Sequence, residues 1–211
     1  HLSQWRIGGK ADLLIRPSSA DQLEALCRFF HHRGMTPVVI GMTSNLLFDD
    51  RGVRAPCIQI AGRMAKYSIK GSDVVAQAGL WVPGLARALM RRGLTGGEHI
   101  CGIPGTIGGL VTMNGGSQRK GIGSNIVAIE SVDAEGIRRC RSAAECNFGY
   151  RYSMFHDGSE IITGVHMRFM HGARSGIRSE MRAILADRRR KFPRKEPNWG
   201  SVCKINPEMY A

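Results

Sequence analysis

The chain has 211 residues, 43% of them hydrophobic, and a formal net charge of +13. That apolar content suffices for a sizeable core in one or two domains, and no apolar run approaches the roughly 20 residues that a bilayer span needs. The charge admits three classes of partner (nucleic acid, an anionic membrane surface, small phosphorylated ligands) and by itself does not separate them. The six cysteines, at 27, 57, 101, 140, 146 and 203, form no C-x-x-C pair. Their spacing suggests neither a zinc knuckle nor a disulfide framework, and they are expected to be reduced, mostly buried thiols of a cytoplasmic protein. His31 and His32 are adjacent, and neighbours on a helix point in different directions, so no metal site is read there.

In chain order, Leu13-Leu14-Ile15 reads as a short strand after a turn at Gly8-Gly9. Pro17-Ser18-Ser19 opens a helix. Ser19 and Gln22 have capping-box spacing, Leu23, Leu26, Cys27 and Phe30 share one face, and Gly34 is the stop. Pro37-Val38-Val39-Ile40 is expected to be a buried strand running into Gly41, completing a βαβ-like opening whose strand ends on a loop, where α/β proteins often hold ligands. A second section begins near Arg63. Residues 74–78 read as a strand, and Pro83 opens a helix bearing Leu85, Leu89 and Met90 that Gly93 ends. The stretch 93–116 is glycine-rich. Residues 126–132 and 137–140 read as strands around a turn at Glu135-Gly136, and 160–169 as another strand. Residues 172–176 read as a linker. A helix follows with Ile177, Met181, Ile184 and Leu185 on one face, stopped by Pro193. A third section starting with one helix and one loop cannot enclose its own core, so the chain is expected to be incomplete at its C-terminus.

Four segments could carry chemistry. Gly41-Met42-Thr43-Ser44-Asn45-Leu46-Leu47 follows a strand and can aim backbone N–H groups at a phosphate, although it is neither a P-loop nor a Rossmann fingerprint. Gly102-Ile103-Pro104-Gly105-Thr106-Ile107-Gly108-Gly109, leading to Asn114, is a narrow ribbon that flat aromatics and pyrophosphates can approach closely. In Tyr150-Arg151-Tyr152-Ser153 an arginine between aromatics can be held stiffly for a carboxylate. Pro197-Asn198-Trp199-Gly200-Ser201-Val202-Cys203-Lys204 places a serine after a glycine in a constrained loop with a lysine three residues on, outside any hydrolase elbow. Each alone is also compatible with an ordinary turn or a surface residue.

Together and in this order, the segments resemble the UDP-N-acetylenolpyruvoylglucosamine reductase family. Arg6-Ile7-Gly8-Gly9-x-Ala11 is similar to its R-I-G-G-x-A, and residues 41–47 stand where it has G-G-G-S-N-L-L. Gly93-Leu94-x-Gly96-x-Glu98 and residues 102–109 resemble G-L-x-G-x-E and G-I-P-G-T-x-G-G, and Asn114 matches the asparagine that follows. Tyr150-Arg151-x-Ser153 resembles Y-R-x-S, and Gly200-Ser201-Val202-x-Lys204-x-Asn206-Pro207 resembles the G-S-x-F-K-N-P loop. The resemblance implies an α+β chain: a two-subdomain FAD-binding unit of the vanillyl-alcohol-oxidase type, at 1–62 and 63–171, followed by the start of an α+β substrate domain at 172–211.

It also implies the chemistry. NADPH reduces non-covalently bound FAD, and the enolpyruvyl group of UDP-N-acetylglucosamine enolpyruvate is reduced to UDP-N-acetylmuramate, a peptidoglycan precursor. Gly41, Met42, Thr43, Ser44, Asn45, Leu46, Gly102, Ile103, Pro104, Gly105, Thr106, Gly108, Gly109 and Asn114 are implied to bind the cofactor. Arg151 is implied to hold the substrate carboxylate and Ser201 to donate a proton, with Lys204 and Asn206 on the substrate. The family's C-terminal catalytic glutamate has no counterpart before Ala211. No histidine lies in either glycine loop, so no flavin tether is expected there. Departures fall mainly on the substrate side: Trp199 replaces a small residue, Cys203 an aromatic, Ile205 is inserted, and Gly115-Gly116-Ser117-Gln118-Arg119 replaces A-G-A-Y-G. On the cofactor side, Met42-Thr43 replace two glycines. The ligands are all polyanions, which accounts for the charge without nucleic acid or a membrane, and a monomer is expected. The competing readings are a divergent flavoprotein with another substrate, or a non-enzymatic polyanion-binding module using Arg188-Arg189-Arg190-Lys191.

Overall fold

In a computed structural model, residues 5–192 are described. The first section forms a three-stranded parallel sheet from β1 (Leu14–Ile15), β2 (Val38–Ile40) and β3 (Cys57–Gln59), in the order β1-β3-β2. All three strands therefore end at one edge, and the loops that follow them are neighbours. Helix α1 (Ala20–His31) connects β1 to β2. Ser19 caps it, its hydroxyl accepting from Gln22 N at 3.2 Å, while the Gln22 side chain accepts from Ser18 N at 2.8 Å, one residue earlier than a reciprocal box would have it. Leu23, Cys27 and Phe30 are buried. The expectation of a buried β2 is corrected: only Ile40 is buried, and Val38 and Val39 are 37% and 40% exposed, because β2 is an edge strand.

The second section is a five-stranded antiparallel sheet in the order β4-β5-β9-β7-β8: β4 (Tyr67–Lys70), β5 (Asp73–Gln77), β7 (Ile126–Asp133), β8 (Arg138–Ser142) and β9 (Glu160–Arg168). Between β5 and β7 come α2 (Val82–Arg92), a short β6 (Leu94–Thr95) and α3 (Ile107–Thr112). Gly93 ends α2 at φ +67°, a left-handed position that costs glycine nothing. The linker expected at 172–176 is shorter. β10 (Met170–His171) pairs with β6, and only Gly172 and Ala173 separate it from α4 (Arg174–Lys191). The paired carbonyl and amide groups of β6 and β10 bring the chain back beside α2, so little chain is needed before the helix. Its Ile177, Met181 and Ile184 are buried, and α4 packs on α2 and on the turn Glu98–Ile100.

The two sections share one core, in which Leu23, Cys27 and Phe30 of α1 belong to the same cluster as Ile58, Val132 and Leu89. α1 lies against β7 and is tied to β8 by Arg138, which pairs with both Asp21 and Glu24. α3 lies against β5 and β9. The mix of parallel and antiparallel sheets with helices is the expected α+β class. Among the described residues no helix is long and apolar enough to cross a membrane, and no group of three or more His, Cys, Asp or Glu side chains is placed to hold a metal ion.

Candidate functional site

The loop after β2 and the ribbon before α3, some 60 residues apart in sequence, are fastened together. Ser44 Oγ donates to Pro104 O at 2.7 Å. Gly41 lies so close to Thr106 that a Cβ would come within 2.6 Å of the threonine Oγ1, and a Cβ on Gly105, whose φ is +137°, would meet Ser44 Oγ at 3.1 Å. Gln59, at the end of the central strand β3, donates from Nε2 to Gly41 O at 3.0 Å. Thr43 is buried at φ +57° and its hydroxyl donates to Met42 O at 2.7 Å. A β-branched residue rarely takes that conformation. The backbone has thus kept the geometry of a glycine where the sequence has lost one.

The ribbon is held from behind. Gly108 N donates to Ala78 O at 2.8 Å, Ile107 N to Leu80 O at 2.9 Å, and Val82 N to Gly105 O at 3.1 Å. Thr106 caps α3 by accepting from Gly109 N at 3.4 Å. A side chain on Gly109 would touch only that Thr106 oxygen, so the ribbon is open there. Gly108 is small for a packing reason, since a Cβ would press on Ala78 Cβ at 3.1 Å. Gly102 is also spoken for: the space of its missing side chain is taken by Arg188 and Leu185 of α4. Among the described residues, no acceptor meets the backbone N–H groups of Ser44 and Asn45 on one loop or of Gly105 and Thr106 on the other. Backbone donors collected on two touching loops fit the oxygens of a pyrophosphate. The exposed Met42 and Leu46 flank them with apolar surface.

Asn114, at φ +39°, joins the far end of α3 to the arginine turn. Its Nδ2 donates to Gly149 O at 2.8 Å and its Oδ1 accepts from Gly123 N at 2.8 Å. Gly149 and Tyr152 exchange both backbone hydrogen bonds, at 3.0 and 3.3 Å, which places Tyr150 and Arg151 at the tip of a tight turn, Arg151 at φ +54°. The guanidinium donates from Nη2 to Gly116 O at 3.2 Å and lies 5.9 Å from the Tyr150 ring. The buried Ser153 anchors the turn by donating to Thr112 O at 2.8 Å. Six residues of helix, about 9 Å at 1.5 Å each, separate the ribbon from the arginine turn. Asn114 therefore positions the arginine through the backbone.

Two buried residues lie beside this assembly, Glu98 from the Gly93–Glu98 motif and His99, which carried no signal in the sequence. Glu98 is buried and closes its own turn, accepting from Thr95 Oγ1 at 2.7 Å and Gly96 N at 2.8 Å. His99 is buried with no partner for either ring nitrogen among the described residues, and burial together with Lys120 pushes its imidazole below its ordinary pKa. Its carbonyl accepts from Ser117 Oγ at 2.6 Å and so holds the loop that leads to Arg119. Ser201, Lys204 and Asn206, with Trp199 and Cys203, lie outside the described residues.

Residues 11–141 match the FAD binding domain family. The chain is 41% identical over 210 residues to UDP-N-acetylenolpyruvoylglucosamine reductase 1 of Corynebacterium glutamicum, covering 100% of this chain and 63% of that protein. It is 37% identical over 207 residues to the UDP-N-acetylenolpyruvoylglucosamine reductase of Moorella thermoacetica, covering 98% of this chain and 68% of that one. The chain belongs to the UDP-N-acetylenolpyruvoylglucosamine reductase family. The crystal structure of UDP-N-acetylenolpyruvylglucosamine reductase (MurB) from Thermus caldophilus agrees, with a TM-score of 0.82 at 28% identity over 98% of this chain and 73% of that one. The chain spans about two thirds of the length of the curated reductases it matches. The stretch shared with the FAD binding domain family contains both glycine loops and Asn114, whereas Arg151 falls after it.

Proposed function

We propose that this chain is the flavin-carrying part of an FAD- and NADPH-dependent UDP-N-acetylmuramate dehydrogenase acting in peptidoglycan precursor synthesis. The observation that carries the reading is the pair of glycine loops fastened by Ser44–Pro104 and Gly41–Thr106, with open backbone donors on both. FAD held there would supply the hydride-transfer chemistry between NADPH and the enolpyruvyl double bond of UDP-N-acetylglucosamine enolpyruvate.

The residues of this chain do the rest. The cofactor-binding residues are those of the two loops named above, together with Asn114, and the pyrophosphate takes the donors of Ser44, Asn45, Gly105 and Thr106. Gly102 contributes by letting α4 close against the ribbon. Arg151, steadied by Gly116 O, holds the substrate carboxylate and stabilises the charge that grows on it as hydride arrives. Ser201 delivers the proton to the carbon beside that carboxylate, and Lys204 and Asn206 hold the substrate. Residues 1–62 and 63–171 are the two halves of the flavin unit, and 172–211 begin the substrate part. The protein works as a cytoplasmic monomer without nucleic acid.

The absorption spectrum of purified protein tests this. Bound flavin should be bleached by NADPH and recoloured by the UDP-sugar. A colourless protein that takes up no added FAD refutes the reading. Bleaching with no recovery refutes the substrate and leaves a flavoprotein acting on another molecule.

A further inference from the structure

A second polar cluster lies on the same edge of the parallel sheet as the Gly41 loop and was not singled out in the sequence. A cavity of about 260 Å³ is lined by Arg16, which follows β1, by Gln59 of β3, and by Ala61, Gly62 and Arg63 beyond it. Gln59 is buried and uses both ends of its amide: Oε1 accepts from Arg16 Nε at 2.7 Å, while Nε2 donates to Gly41 O at 3.0 Å. Arg63 Nη1 donates to Arg16 O at 3.3 Å. Two guanidinium-bearing side chains are therefore steered towards one cavity by uncharged acceptors, and among the described residues neither has a carboxylate within ion-pair distance.

That arrangement is unusual for a structural role. Arginines on a surface gain most from a carboxylate or from water and lose entropy when held. Holding two of like charge together leaves a repulsion that an anion between them would remove. Arg16 spends only Nε on Gln59, so its terminal nitrogens retain the planar fork that suits phosphate oxygens. The carboxyl ends of parallel strands are where α/β folds take nucleotides. Gln59 connects the cavity directly to the Gly41 loop.

We propose that Arg16, Gln59 and Arg63 form a phosphate-reading cluster that holds the nucleoside-diphosphate end of the dinucleotide cofactor. The glycine loops then carry the pyrophosphate backbone-first, and the cluster adds charge from the side. The assignment rests on the flavin reading above, and it makes the distinction between FAD and a flavin lacking the nucleotide a property of these three residues.

The test is calorimetric titration of the wild type and of the Arg16→Ala/Arg63→Ala protein with ADP, FAD and riboflavin. Both arginines are exposed, so the variant should fold, and thermal unfolding by circular dichroism checks this. Arg63→Gln serves as the milder variant. ADP and FAD should each bind the double variant at least tenfold more weakly, the scale of one charge-assisted hydrogen bond, with riboflavin affected less than twofold. Equal ADP affinity in both proteins overturns the proposal, as does an equal loss for riboflavin or a wild type that binds no ADP. A wild type that binds ADP but no FAD refutes the flavin reading instead, and the ADP comparison still decides the cluster.

Discussion

The contact between Gly41 and Thr106 is a quantitative test of how the two loops are joined. In Gly41→Ala the new methyl would sit 2.6 Å from Thr106 Oγ1, while the threonine Cγ2 and Cβ stand at 3.6 and 3.7 Å, which is ordinary contact. The hydroxyl must move or the loops must part. Thr106 is buried, and its hydroxyl caps α3 through a long 3.4 Å bond from Gly109 N. Overpacking costs about 1–3 kcal/mol, and a weakened cap adds about 0.5–1 kcal/mol, the low end for a bond of that length. Gly41→Ala should therefore destabilise the protein by about 1.5–4 kcal/mol. Thr106→Ala alone should cost about 1–2 kcal/mol for the cap and one buried methyl, but it leaves only Cβ at 3.7 Å, so the alanine at 41 then fits. The double variant should be about 1–2 kcal/mol more stable than the sum of the single changes predicts. Urea unfolding of all four proteins, compared at equal slope, measures the coupling. Costs that add to within about 0.5 kcal/mol would show that the loops do not meet at this point.

Arg151→Lys replaces a planar fork with a point charge, and rapid-mixing kinetics should show flavin reduction by NADPH preserved while reoxidation by the UDP-sugar slows. Equal slowing of both would make the arginine structural. Asn114→Ala leaves Gly149 O and Gly123 N without their partners. It should lower stability by about 2–4 kcal/mol and slow the same reoxidation step, whereas a variant as stable and active as the wild type would remove Asn114 as the bracket of the turn. Burial, with Asp133 nearby, raises the Cys27 thiol to about 11, and burial, with Glu145, does the same for Cys146. Cys140 is exposed. Alkylation at pH 8 followed by mass spectrometry should therefore modify Cys140 well before either of the others, and comparable rates would contradict the packing. Burial alone would raise the Asp133 carboxyl, but hydrogen bonds from Ile137 N and Arg139 outweigh it and hold the group below its usual value. A depressed carboxylate contributes its full stabilisation above its unfolded pKa of about 3.9 and loses it as pH falls through the lower folded value. Asp133→Asn should flatten the urea midpoint below about pH 4, and an unchanged acid limb would count against the pairing.

Much of the fold was legible because its signals are local. Ser19 before an amphipathic run, Pro83 inside the start of a helix and Gly93 past its end each act within one turn of chain, and each stands where expected. The family motifs were likewise readable, since a glycine that must admit a ligand or a left-handed turn constrains the sequence at its own position. Burial of β2 was misread because alternation and hydrophobicity do not say which strand lies at a sheet edge. The linker at 172–176 was misread because the pairing of β10 with β6 is a contact across some 75 residues.

What the sequence determined alone is the set of turns, caps and amphipathic faces, together with the family to which those motifs belong. Tertiary structure decided which glycines are packed and which are open: Gly102 makes room for α4 and Gly108 for Ala78, while Gly109 faces open space. It decided that Asn114 is hydrogen-bonded to Gly149 of the arginine turn and to Gly123. It alone brought Arg16, Gln59 and Arg63 to one cavity. A hydrogen bond across 35 to 60 residues depends on the whole path of the chain between its ends, as the Ser44–Pro104 bond does. Residue spacing encodes only what the backbone does within a few ångströms of itself.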